Sequence, residues 1–70
     1  MPDDIDFTGT SLWKGDMAIR FRGRTWEENE SVVLPRSQIA IVQRSEREGY
    51  KPGEVTVTVP RWLAEKEEMI

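Results

Sequence analysis

The side chains with chemical potential in this sequence are its carboxylates and its guanidinium groups. Thirteen Asp and Glu face ten Lys and Arg across 70 residues, and there is no His and no Cys. Ser–His and Cys–His nucleophile pairs are therefore out of reach, disulfides are excluded, and zinc, copper or iron would lack their usual ligands. Paired carboxylates are what remains for acid–base or magnesium chemistry. Nine of the thirteen fall in three groups: Asp3, Asp4 and Asp6; Glu27, Glu28 and Glu30; and Glu65, Glu67 and Glu68. These groups read as a tail, a hairpin tip and a terminal helix, where solvated charge ordinarily sits. No catalytic residue, metal ligand or cofactor site is expected, and so short a chain has little room for a concave, water-excluding pocket.

The cations are more suggestive. Arg20, Arg22 and Arg24 recur at a spacing of two, and Trp26 continues the series. On a strand these side chains share one face, provided that no bulge intervenes at Gly23. Basic and aromatic residues interleaved on a sheet are what single-strand nucleic-acid binders use. Trp and Arg are also the types most enriched among protein-interface hot spots. The bland reading is a solvated face guarded by charge against edge pairing. Arg20, Arg22, Arg24 and Trp26 are thus the candidate partner-binding residues, with a protein as the expected partner and nucleic acid as the alternative. The formal net charge of −3 opposes a grip on phosphates alone. Between Lys14 and Arg61, however, nine cations face seven anions, so a local basic face is compatible with an acidic chain.

The elements that must position these residues read as mainly β. Residues 1–4 are expected to fray, and order is expected from Ile5 in one domain spanning residues 5–70. Ile5 to Trp13 suits a strand that bends or bulges at Gly9, and Lys14-Gly15-Asp16 reads as a turn. Met17, Ile19 and Phe21 alternate with the Arg residues as a half-buried strand, continuing through Arg24 to a hairpin tip at Glu28-Asn29-Glu30. Ser31 to Leu34 returns as a strand that Pro35 ends or confines to an edge. Ile39 to Val42 forms another strand, followed by a solvated, charged connection that closes at Pro52-Gly53. Val55, Val57 and Val59, interleaved with Thr56 and Thr58, form the best-marked strand, and Pro60 opens a helix over residues 61–69.

This pattern predicts a small, strongly bent antiparallel sheet or partly open barrel, SH3-like or OB-like, of about five strands with a short C-terminal helix. Its expected buried set is Met17, Ile19, Phe21, Ile39, Ile41, Val55, Val57 and Val59, with Trp62 anchoring the helix. Trp13 is read as filling the open end, with a contact role beside the Lys14-Gly15 turn as the alternative. A core this thin is often completed by a second chain, so self-association as a structural subunit is a further reading. The acidic N-terminus and the lack of a long apolar run predict a cytoplasmic protein with no membrane partner.

Two segments, Val33-Leu34-Pro35-Arg36-Ser37-Gln38-Ile39 and Val55 to Lys66, taken in this order, resemble small uncharacterised β-rich proteins encoded by bacteriophages and other bacterial mobile elements. That group commonly has an aromatic residue before the Leu-Pro step and a Lys- or Gly-containing end. This chain has Val33 and Glu67-Glu68 at those places. The resemblance carries no activity and no functional residues. It implies a phage or prophage context, with a host or phage protein as partner and steric inhibition, as by anti-CRISPR proteins, as the expected mode of action.

Overall fold

The computed structural model describes residues 3–70 and contains β1 (Asp4–Lys14), β2 (Ala18–Gly23), β3 (Val32–Pro35), β4 (Ala40–Gln43), β5 (Glu54–Pro60) and α1 (Arg61–Lys66). The strands form one open sheet in the order β3-β2-β1-β5-β4, with every neighbouring pair antiparallel. The protein is therefore mainly β with a short C-terminal helix, as the alternation predicts, and the sheet does not close into a barrel. Strand β1 starts at Asp4, within the four residues expected to fray, of which Met1 and Pro2 lie outside the described residues.

One face of the sheet holds the core. Ile19, Phe21, Leu34, Val55, Val57 and Val59 are buried there, joined by Leu63 and Ala64 of α1 and by Met69. Ile5, Phe7, Ile39 and Ile41 are partly buried and pack against this set. The helix reaches this face because its first amide, Arg61 N–H, donates to Asp3 O at 2.7 Å, tying the end of β5 to the start of β1.

Helix α1 stops at Lys66, short of the expected Met69. Glu68 adopts a left-handed φ of 59°, its N–H donates to Glu65 O, and Met69 N–H donates to Ala64 O. This is a Schellman end, and its hydrophobic contact turns Met69 inward against the core. Met69 thus takes the anchoring role expected of Trp62, which is 54% exposed.

Three further expectations are corrected. Met17 is 84% exposed because it lies in the turn before β2, beyond the last residues that the helix side covers. The bulge in β1 falls at Leu12 rather than Gly9, since Ser11 pairs with Phe21 and Trp13 with Arg20. The chain also turns directly after Gly23, where Trp26 N–H donates to Gly23 O at 3.0 Å, so β2 does not continue to Glu27.

Candidate functional site

Opposite the core lies a face that alternation assigns to Arg20 and Arg22 on β2, and the structure places both there. Their core-facing neighbours Ile19 and Phe21 are fully buried, so the pleat turns the Arg side chains outward. Arg24 follows the same parity, because its N–H donates to Thr8 O and extends the pairing by one residue. Arg20 Nη1 donates to Ser31 Oγ at 3.1 Å, and Arg22 Nη1 donates to Glu28 O at 3.0 Å. Among the described residues neither has a carboxylate partner, so both keep donor capacity toward a ligand.

Trp26 does not join them on that face. It packs edge-on against Phe21, with ring centroids 5.7 Å apart and planes at 85°. The indole also covers the Cα of Gly23 so closely that an added Cβ would come within 2.5 Å of it. The tight turn after Gly23 carries Trp26 to the core side. The Arg and Trp residues meet only at the rim of the sheet, where Arg22, Arg24 and Trp26 line a cleft of about 390 Å³ with Thr10, Lys51 and Glu54.

Trp13 stands where the sequence reading put Trp26. The bulge at Leu12 brings Trp13 into register with Arg20, and Arg20 is in register with Val33, so a row crosses β1, β2 and β3 on the outward face. Trp13 is 54% exposed and Val33 44%, and Leu12, in the bulge next to Trp13, is exposed as well. Of the two places expected for Trp13, the one beside the turn is observed: its ring edge lies against Gly15. An exposed Trp–Arg–Val row is apolar surface with a cation at its centre. The chain matches no family model, no curated protein and no solved structure.

The other half of the outward face is closed by the chain between β4 and β5. Arg24 grips Glu54 through two hydrogen bonds of 3.0 and 2.8 Å, and Lys51 N–H donates to the same carboxylate at 2.8 Å. Arg44 Nε donates to Thr56 Oγ1, which lies 3.1 Å from Thr8 Oγ1, and Tyr50 packs between the guanidinium groups of Arg24 and Arg44. Glu54 and Thr56 are consequently buried on a face where alternation alone would leave them exposed. Arg24, a candidate binding residue, is thus committed to this internal latch.

The hydrogen bonds from Arg24, followed by that from Lys51 N–H, hold the Glu54 carboxyl at about 2, well below its ordinary 4.5. A folded-state value below the unfolded one stabilises the fold fully above the ordinary value, and that contribution fades as pH falls toward about 2. Thermal melts should therefore show Glu54→Gln below the wild type at neutral pH, with the gap closing between pH 4.5 and about 2. A gap that does not change with pH would show that the latch does not act through this charge.

Among the described residues no group of three or more carboxylates is placed to hold a metal ion. No helix there is long and apolar enough to cross a membrane.

Proposed function

We propose that this chain is a non-enzymatic protein-binding module that acts by occupying a surface on a partner protein. The observation that carries this reading is the exposed Trp13–Arg20–Val33 row, with Leu12 exposed in the bulge next to Trp13. Trp and Arg dominate binding hot spots because each buries a large, rigid or planar group while keeping a polar handle. The row is apolar along its length and cationic at its centre, and Arg22 adds a second cation that has no carboxylate partner among the described residues. The surface it fits is a protein patch of apolar side chains holding an Asp or Glu against Arg20.

Trp13 is the one aromatic side chain on this row, too few for the successive stacking that single-stranded nucleic acid requires. The resemblance of Val33 to Ile39 and Val55 to Lys66 to phage-encoded proteins supports a bacterial cytoplasmic target and a steric, inhibitory mode of action.

The test compares immobilised wild type, the Trp13→Ala/Arg20→Ala double variant and Trp62→Ala in nuclease-treated bacterial lysate. A protein held by the wild type and by Trp62→Ala but lost from the double variant is expected. With that protein purified, Trp13→Ala should weaken binding by about 2 kcal/mol, roughly thirtyfold, mainly through faster dissociation and with a mild response to salt. Equal capture by all three, or capture that nuclease abolishes, would refute the reading.

A further inference from the structure

The two edges of the sheet are not equivalent. Arg36 N–H donates to Met17 O across the β2–β3 ladder, and amides alternate in direction along a strand, so the free edge of β3 is presented by Val33 and Pro35. Pro35 has no N–H and blocks that edge. At the other end Arg44 N–H donates to Glu54 O, which makes Arg44, Val42 and Ala40 the residues bonded to β5. Ile41 and Gln43 therefore direct their N–H and C=O groups away from the sheet. Ile39, next in that series, turns its N–H onto Arg36 O within its own chain. The Ala40-Ile41-Val42-Gln43 edge is short but carries no charge, proline or bulge to turn a partner strand away.

We propose that β4 pairs antiparallel with β4 of a second copy of this chain, joining two five-stranded sheets into one. Only one register lets the outward residues of both copies bond: Ile41 opposite Gln43 of the second copy and Gln43 opposite its Ile41, two doubly hydrogen-bonded pairs. Val42 then lies on the two-fold axis as the non-bonded pair, where side chains approach most closely. Val42 is uncharged and 47% exposed, so it meets its own copy without repulsion and loses apolar surface to it.

Ile41, half-buried at the margin of the core, gains cover from the same pairing. The partner-binding row on β1, β2 and β3 lies at the far side of the sheet from β4, so the dimer does not depend on that reading and would present two such rows.

Sedimentation velocity over a concentration series, up to about 1 mM for so small an interface, should show monomer passing to dimer. Gln43→Pro removes an outward N–H without touching the bond to β5, and Val42→Lys sets two like charges on the axis. Each should raise the dimer dissociation constant about tenfold or more while circular dichroism stays that of the wild type. Because Val42 is exposed, its variant reports even if Gln43→Pro fails to fold. Hydrogen exchange at Ile41 and Gln43 should slow as concentration rises, with Val42 unchanged. A chain that stays monomeric throughout overturns the proposal. So does a dimer that survives both substitutions, or one that dissolves on Trp13→Ala instead.

Discussion

Val57→Asp is expected to leave the chain unfolded at room temperature. Val57 lies in β5, an interior strand between β1 and β4, with Phe7 and Ile41 as its cross-strand partners, and it has no exposed surface. A carboxylate there would sit in the core cluster of Ile19, Phe21, Leu63 and Ala64, among which no cation is buried. An unpaired buried charge costs several kcal/mol even after the group protonates or water enters. A core of this size supplies only about 3–5 kcal/mol in all, so the cost exceeds the margin. Val42→Asp supplies the contrast: the same change on the neighbouring strand falls on the outward, half-exposed face, and circular dichroism should remain that of a sheet. A cooperative melt by Val57→Asp at the wild-type temperature would show that this face is not the core.

Parity was readable in the sequence, and what parity governs came out as expected. The Val–Thr alternation of β5 and the apolar–Arg alternation of β2 each need only the period of two to sort their side chains, and the sheet preserves both sortings. Contacts made across strands were not readable. The bulge at Leu12 exists only in relation to Arg20, and it alone aligns Trp13 with the Arg row. Trp26 falls on the other side because the chain turns directly after Gly23, where the alternation reads as a strand continuing to a tip at Glu28-Asn29-Glu30. The available signal was Gly23 itself, a glycine three residues before a Trp whose ring needed bare backbone to lie on. Thr56 and Glu54 are buried on a polar face because a segment that reads as solvated charge folds Arg44 and Tyr50 over them. Nothing local marks Arg44 as the partner of Thr56.

The same cross-strand logic makes Gly9→Ala the second severe substitution, although no side chain is lost. Gly9 pairs with Gly23 across β1 and β2, and an added Cβ would lie 2.1 Å from Arg22 O and 2.8 Å from the Cα of Gly23. Both obstacles are backbone, so no rotamer change relieves them and the ladder must open at the point where Arg24 N–H reaches Thr8 O. Forcing volume into a site that cannot yield costs about 3 kcal/mol, most of what this domain has. Gly53→Ala separates this cause from the more familiar one. Gly53 has φ of 83° and nothing within 4 Å of its missing Cβ, so that substitution meets only the left-handed backbone penalty, about 1 kcal/mol. Urea unfolding should rank the two variants in that order. A Gly9→Ala loss equal to or below that of Gly53→Ala would mean that β1 and β2 approach less closely there than the structure has it. Because the pairing from Gly9 to Lys14 sets Trp13 opposite Arg20, any Gly9→Ala protein that still folds should also lose partner binding. Gly53→Ala, which leaves the β1–β2 pairing untouched, should retain it.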